Sequence, residues 1–335
     1  MKPIAGNTTT LRLKVCRALF GIALSSAAFG LSGCDEAEPE GVRYSNSPVT
    51  VATRFFPGSI TSEHNEFDLA LMPDGQRIYF TRRIEGEVQK ILYSDFDGTT
   101  WSDPVLAPFS TDRDETPAVS PDGRYMHFGS QREIPGRPNL GGFDMNVWRM
   151  ERTEAGWSEP VPLPAPLNLV QAEGENWPIA QNNLMSTIDG ETYIFGTMNP
   201  GAPGIQAYTT TFDGSDYSEP ELIEGLFEDP STWIYSPILS PDGLYLFFNT
   251  YEAPDGIGGE DIYVSQRTES GWSRAVNLGP VVNSEGEEGS PRFSPDGYYF
   301  FFVHADNLGD DEYGSWDIHY IETEYLELES LFDSR

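Results

Sequence analysis

The sequence predicts an all-β fold, a five-bladed β-propeller of four-stranded antiparallel blades, and two observations support this prediction. First, an Asp-Gly turn recurs ahead of an aromatic-rich segment, with its aspartates at positions 74, 122, 189, 242 and 296. A period of roughly 50 residues is typical of propellers and other repeat arrays. Second, the last copy, FSPDGYYFFF at 293–302, ends in five consecutive aromatic residues. A strand with one solvated face alternates apolar and polar residues, so this run predicts a strand covered on both faces.

Each unit contains segments for about four short strands. Pro, Asp and Gly in the turn fix the reversal between the first and second strands. An apolar string further on predicts the third strand: Ile91–Tyr93, Val147–Trp148, Ala207–Tyr208, Ile262–Val264 and Ile318–Tyr320. In four units, an aromatic-Ser pair then leads into the fourth strand: Trp101-Ser102, Trp157-Ser158, Tyr217-Ser218 and Trp272-Ser273. Helical periodicity is almost absent.

The fifth unit lacks the aromatic-Ser element, and the N-terminal segment is predicted to replace it. Ser47-Pro48-Val49-Thr50-Val51 resembles that element without a preceding blade. We expect it to be the outer strand of the last blade and to close the ring, which protects sheet edges from aggregation. The alternating segment Tyr325–Glu329 is the rival candidate for the same place.

A family resemblance follows from these repeats. The string Ser-Pro-Asp-Gly-x-Tyr-hydrophobic-x-Phe, with Asp-Ile-Tyr and Gly-Trp-Ser-x-x-Val-x-Leu downstream, resembles the WD40-like PD40 repeats of TolB-type β-propellers. It covers residues 47 to 320 and is fullest over 236–302. The third unit departs from the pattern, because Pro178 lies eleven residues before Asp189 and Thr187-Ile188 replaces Ser-Pro. An insertion or a distorted first strand is expected there. The resemblance implies protein partners in the cell envelope.

Residues 1–33 are predicted to be a lipoprotein signal peptide. Four basic residues precede the apolar stretch 18–29, which is too short to span a bilayer. Leu31-Ser32-Gly33-Cys34 resembles the lipobox of bacterial lipoproteins, which implies cleavage before Cys34 and lipid attachment to it. The alternative is an ordinary signal peptide with a fortuitous Cys34. Asp35 resembles an inner-membrane retention signal.

The expected mature chain has two parts, an acidic tether at 34–48 and the propeller at 49–335. Cys16 leaves with the signal peptide, so no intrachain disulfide can form and the fold depends on its core. We expect an exported protein, lipid-anchored in the bacterial cell envelope at the periplasmic face or the cell surface.

The net charge of −33 restricts the partners. An acidic surface repels nucleic acid and anionic lipid, so a charged partner should be basic or cationic. The alternative is that the charge serves solubility alone.

An acidic residue stands three positions before the Pro, or its equivalent, in the first strand of four units; the fourth unit has Ile234 there. Equivalent positions lie on a ring around a propeller axis, so we expect these carboxylates at one mouth of the channel: Glu66, Asp114, Glu175 and Glu288. Such a ring suits Ca²⁺ or a Lys- or Arg-bearing peptide. The alternative is structural, each acid accepting hydrogen bonds from nearby N–H groups. The metal is left open, and no other cofactor is expected.

Known catalytic patterns are largely missing from the sequence. The four histidines fall at non-equivalent repeat positions, and no Gly-x-Ser-x-Gly elbow appears. SDFDGTTW at 94–101 comes close to a sialidase Asp-box, with Asp97 one position late. The sequence therefore predicts a binding or assembly module for a protein, peptide or glycan, without its own catalysis. The alternative is a carbohydrate-active propeller enzyme of glycoside hydrolase type that uses a carboxylate pair in the channel.

Overall fold

The computed structural model describes residues 41–136, 145–168, 185–198, 202, 204–251, 253, 255–309 and 312–332. These residues belong to one compact unit, Gly41–Arg335. They contain 24 strands, numbered in chain order: β1 (Thr53–Arg54), β2 (Asn65–Leu71), β3 (Arg77–Arg83), β4 (Lys90–Asp95), β5 (Val105–Leu106), β6 (Asp114–Val119), β7 (Tyr125–Ser130), β8 (Asn146–Thr153), β9 (Gly156–Trp157), β10 (Val161–Pro162), β11 (Met185–Thr187), β12 (Thr192–Thr197), β13 (Gln206–Thr211), β14 (Glu221–Leu222), β15 (Tyr235–Leu239), β16 (Tyr245–Tyr251), β17 (Glu260–Thr268), β18 (Gly271–Trp272), β19 (Val276–Asn277), β20 (Glu287–Phe293), β21 (Tyr299–Ala305), β22 (Asn307–Gly309), β23 (Glu312–Tyr313) and β24 (Asp317–Glu322).

The strands pair into five successive four-stranded antiparallel runs, here called sheets 1 to 5. Sheet 1 has the order β2-β3-β4-β5, sheet 2 β6-β7-β8-β10, sheet 3 β11-β12-β13-β14, sheet 4 β15-β16-β17-β19 and sheet 5 β20-β21-β24-β1. β9 and β18 extend the third strands of sheets 2 and 4, and β22 pairs with β23. Sheets 4 and 5 are joined by one parallel bridge, Glu260 to Glu287. The predicted all-β class is confirmed.

The recurring turn between first and second strands has the geometry that its sequence predicts. In Ser120-Pro121-Asp122-Gly123, the Ser120 hydroxyl donates to Asp122 Oδ1 at 2.6 Å, and Asp122 Oδ1 accepts from the Arg124 amide at 2.9 Å. Gly123 has φ of 69°, a region that favours glycine. The same bonds recur at Ser240 and at Ser294. These reversals place the ends of first strands and the starts of second strands on one side of the unit.

Each sheet packs its two faces against two different sheets. Five buried hydrophobic clusters lie between successive sheets, and the fifth is formed by sheets 5 and 1. The aromatic run in β21 shows why. Tyr299 and Phe301 belong to the cluster with sheet 1, whereas Phe300 and Phe302 belong to the cluster with sheet 4. The expected strand covered on both faces is therefore present.

The first strands of the five sheets contact one another in sequence. β2 contacts β6, β6 contacts β11, β11 contacts β15, β15 contacts β20, and β20 contacts β2. The predicted outer strand Ser47–Val51 forms no strand; its place is taken by β1, further along the N-terminal segment, which pairs with β24 of sheet 5 with Thr53 opposite Tyr320. The rival segment Tyr325–Glu329 forms no strand: it lies in a 3₁₀ turn (Thr323–Leu326) and the short helix α1 (Leu328–Phe332).

Part of the predicted tether is packed. Tyr44 is buried in the cluster between sheets 5 and 1, and its hydroxyl donates to the Gly75 carbonyl at 2.9 Å. The packed part of the chain thus begins before residue 49, because one aromatic side chain is enough to dock an otherwise polar segment. Among the described residues, no helix is long and apolar enough to cross a membrane.

Candidate functional site

Glu66, the first member of the predicted acidic ring, is fully buried and bound within its own sheet. Its carboxylate accepts from the Ser62 amide at 3.0 Å and from the Ser62 hydroxyl at 2.6 Å. Arg82, opposite it on β3, donates to Oε1 at 2.7 Å. One acid therefore caps a loop and pairs with a cation on the next strand.

Asp114 and Glu288 repeat this arrangement. Asp114 accepts from the Thr111 amide at 2.8 Å and from Arg132 at 2.9 Å. Glu288 accepts from the Ser284 hydroxyl at 2.5 Å, and His304 Nδ1 lies 2.6 Å from its Oε1. The Glu288 carboxyl raises the pKa of His304, which favours the charged pair. These contacts match the structural alternative stated above.

The ring does not form a metal centre in the described part of the chain, where no group of three or more His, Cys, Asp or Glu side chains could hold an ion. Glu175 lies outside the described residues, as does Cys34. Ile234, which takes the acid's place in the fourth unit, is buried. Ligand binding by the ring stays a prediction.

The repeated outer aromatic residues pack between sheets. Trp101 is a buried member of the cluster between sheets 5 and 1, and Trp157, Tyr217 and Trp272 lie against the other inter-sheet clusters. The Trp157 indole N–H donates to the Tyr79 hydroxyl at 2.9 Å. Their role is in the core.

The interior between the first strands is filled at its middle level. Ser290 Oγ donates to Asp68 Oδ1 at 2.7 Å, and Arg292 Nη2 donates to the same oxygen at 3.3 Å. This ion pair joins sheets 5 and 1, and both of its side chains are buried. Across the interior, Ala118 of sheet 2 packs against the cluster between sheets 4 and 5. Side chains of the described residues thus occupy part of the space between the first strands.

A second group of polar and aromatic side chains lies at one end of sheets 4 and 5. Tyr235 begins β15 opposite Asn249, Tyr251 ends β16 opposite Glu260, and Glu260 bridges to Glu287 at the start of β20. All of these positions are at the ends of strands away from the Asp-Gly turns. We call Tyr235, Asn249, Tyr251, Glu260 and Glu287 the mouth cluster.

The electrostatics of the mouth cluster are unusual. Burial raises the pKa of Glu260 to about 8, despite hydrogen bonds from Asn249 and Tyr251, and the nearby Glu287 carboxyl adds to the rise. Burial and Glu288 also raise the pKa of Glu287. Burial and Glu260 raise the pKa of Tyr235 to about 12. A buried acid with a strongly perturbed pKa is a candidate functional group.

The mouth cluster departs from the repeat. Glu260 lies opposite Tyr251, which is the ninth residue after the turn aspartate Asp242. At the position equivalent to Glu260, the other four units carry neutral residues: Gln89, Met145, Ile205 and Trp316. Asn249 likewise replaces Thr81, Gly129, Gly196 and Val303. Sequence reasoning sought acids that recur in the repeats and so missed an acid that occurs in one unit only. Comparing the units position by position supplies the missing signal.

A cavity of about 660 Å³ lies at the same end of sheets 1 and 5. Its cationic side chains are engaged, since Arg82 pairs with Glu66 and Arg54 with Asp317. It is therefore a weaker candidate than the mouth cluster.

The fold is similar to that of solved propellers. The GH43 endo-arabinanase from Bacillus licheniformis matches with a TM-score of 0.51 and 12% identity, over 79% of this chain and 96% of that chain. TolB from Acinetobacter baumannii matches with a TM-score of 0.47 and 18% identity, over 79% of this chain, which spans 54% of that TolB. A TolB-like structure from Agrobacterium tumefaciens gives 0.47 and 15%, with 78% of each chain covered.

No family model and no curated protein matches the sequence. Together with the sheet order, the likeness to the endo-arabinanase shows the fold alone: the chain is an all-β propeller protein. The predicted propeller class is confirmed at this level.

Proposed function

We propose that this protein is a lipid-anchored, five-bladed propeller that binds a protein, peptide or glycan in the bacterial cell envelope, without catalysis of its own. Its mechanism is rigid presentation: packed blades hold the loops and strand ends at one mouth in fixed positions. No cofactor is required, and Ca²⁺ is an optional ligand of the acidic ring.

The contacts of the sheets support the five-bladed, closed ring. The first strands contact in a cycle that returns to its start, and the fifth hydrophobic cluster joins the last sheet to the first. β1 completes the last sheet, so the ends of the chain lock together there. A ring of this kind has no open sheet edge along its seam.

One observation carries the binding function in preference to catalysis inside a channel. In the described part of the chain, the Asp68–Arg292 pair and its packed neighbours occupy the interior between sheets 5, 1 and 2, which favours binding at the mouth over catalysis in a deep channel. A packed interior with polar and aromatic side chains at one end suits binding to the surface or a side chain of a partner. The lipobox-like Cys34 supports anchoring of the protein at a membrane.

Crosslinking in the native envelope tests the proposal. The lipidated full chain is compared with Tyr251→Ala/Glu287→Gln at the mouth and with the matched exposed control Glu154→Gln. We expect crosslinked partners to be lost from the mouth variant and kept by the control. Cys34→Ser should move the chain out of the membrane fraction. Identical crosslinked products from all variants would refute recognition at the mouth.

A second candidate function is glycoside hydrolysis, and one observation favours it. Glu260 holds its proton at neutral pH and lies on a strand adjacent to Glu287, so an acid and a carboxylate stand side by side. Release of reducing sugar from cell-envelope glycans, abolished by Glu260→Gln, would establish this function. Full activity in Glu260→Gln would exclude Glu260 as its acid.

A further inference from the structure

Two acids of the mouth cluster have no cationic partner among the described residues. Four other buried acids are paired with cations: Glu66 with Arg82, Asp114 with Arg132, Asp68 with Arg292 and Asp317 with Arg54. Buried Asp261 instead accepts from the Ile257 and Gly258 amides. Glu260 is equally buried, yet neither it nor Glu287 forms an ion pair with another described residue. Burying a carboxyl group without a counter-charge is costly, so the site is electrostatically incomplete.

Aromatic rings lie beside these carboxyl groups. Tyr251 is 44% exposed although its strand neighbour Glu260 is buried. The Tyr235 and Tyr251 rings lie 5.6 Å apart at 88°, and the Trp233 ring is 6.0 Å from Tyr235. Rings at right angles form a corner, and ring faces attract cations. A sugar ring instead prefers a broad flat platform.

A glycine lets the Glu260 carboxyl lie close to the neighbouring sheet. A Cβ at Gly289 would lie 3.3 Å from both Glu260 Oε2 and Asn249 Nδ2. The equivalent position carries a side chain in the neighbouring units, Phe67, Glu115 and Tyr235. Because glycine stands here, the Glu260 carboxyl can pack closely against β20 without meeting a Cβ.

A divalent metal fits this site poorly. Ca²⁺ requires six to eight oxygen ligands. The described part of the chain holds no group of three or more acidic, His or Cys side chains suited to a metal. An organic cation needs fewer oxygens and uses the aromatic faces as well.

We propose that the mouth cluster binds one protonated amine or guanidinium group, on a basic side chain of a peptide, against the Tyr251 ring and between the Glu260 and Glu287 carboxyl groups. This inference rests on the proposed binding function and names its ligand. The net charge of −33 attracts such a ligand from a distance.

Binding is coupled to proton release. In the free protein, Glu260 keeps its proton near neutral pH, because burial raises its pKa to about 8. Glu287, Glu288, Tyr235 and Tyr251 face it, and His304 is bound to Glu288. A cation favours the carboxylate, so the Glu260 O–H gives its proton to solvent as the ion pair forms. Affinity should rise up to about tenfold per pH unit below pH 8.

Calorimetry on the full chain tests this inference. N-acetyl-lysine methylamide is titrated at pH 6, 7 and 8, in buffers of different ionisation enthalpy, beside its neutral norleucine analogue. We expect lysine to bind with proton release and norleucine not to bind. Tyr251→Leu should weaken binding at least tenfold, and Glu260→Gln should abolish proton release. Glu154→Gln, at an exposed acid in the turn that follows β8, is the matched charge control.

Several outcomes would overturn the inference. The inference would be wrong if the norleucine analogue bound as tightly as the lysine probe, or if the lysine probe bound Tyr251→Leu and Glu260→Gln as tightly as it binds the wild type. It would also be wrong if CaCl₂ bound more tightly at the same residues, or if glucosamine bound in preference to the lysine probe. Absence of lysine binding would also overturn it. The proposed function would then still stand if crosslinked partners remain sensitive to the mouth variant, and would fall with the inference if they do not.

Discussion

At the scale of single residues, the buried acids divide by their partners. Glu66 and Asp114 accept from arginine and from loop amides, so their charges are compensated. Glu260 accepts only from the neutral groups of Asn249 and Tyr251 among the described residues. Acids that are paired with arginine, such as Glu66 and Asp114, stabilise their own sheets. Glu260, which has neutral partners, can change its protonation state with pH or when a ligand binds.

The stability of the protein should depend on pH through Glu260. Its pKa is raised from 4.5 to about 8, so the folded state holds a proton that the unfolded state has lost between these values. This contribution to the free energy of unfolding is full below pH 4.5 and is lost as pH rises to 8, by up to about 1.4 kcal/mol per pH unit. Urea unfolding at pH 5 to 8 should show a flatter dependence in Glu260→Gln. Equal slopes in wild type and variant would contradict this.

Removing either side of the Asp68–Arg292 pair should have unequal effects. Asp68→Leu leaves a buried guanidinium that stays charged, and we expect a loss of about 3–5 kcal/mol. Arg292→Leu should cost less, because burial already raises the pKa of Asp68 and the acid can take up a proton. Chemical denaturation measures both variants. Equal losses at pH 5 would show that protonation of Asp68 plays no part.

At the scale of elements, the N-terminal segment is held by one anchor residue. Tyr44→Ala removes a buried ring and should destabilise the protein by about 3–5 kcal/mol. Tyr44→Phe loses only the hydrogen bond to the Gly75 carbonyl, for about 1 kcal/mol. Thermal unfolding tests both, with the exposed Val51→Ala as control. A Tyr44→Ala variant as stable as the Val51→Ala control would mean that the segment is a free tether.

The elements were predictable where local chemistry determines them. Three turns are Ser-Pro-Asp-Gly, in which the Ser and Asp side chains and a left-handed glycine determine the geometry, and the other two keep the Asp-Gly pair, so all five turns could be placed. The burial of Tyr44 could not be predicted, because its neighbours in sequence are polar and the residues of the hydrophobic cluster that receives it are distant in sequence. The role of Glu260 was not predicted for a related reason. Its burial depends on Asn249 and on the contact between sheets 4 and 5, and the sequence of one strand shows neither.

At the scale of the whole molecule, excess negative charge acts on sheets that are held together by hydrophobic clusters. With a net charge of −33, self-repulsion lowers the stability of the compact state. Raising NaCl from 10 to 150 mM shortens the screening length from about 30 Å to about 8 Å, so the Tm should rise. Differential scanning calorimetry measures this change. A fall in Tm would instead mean that exposed ion pairs outweigh the net repulsion.

The docking of Tyr44 has a mechanical consequence. A pull on the N terminus reaches this side chain before it reaches the two-residue strand β1, which joins the last sheet through Thr53 and Arg54. The Tyr44 ring, packed between sheets 5 and 1, would therefore resist the tension. The pairing of β1 with β24 would persist until this ring leaves its hydrophobic cluster. With the anchor proposed at Cys34, the Tyr44 contact would protect the pairing of β1 with β24 from tension on the N-terminal segment.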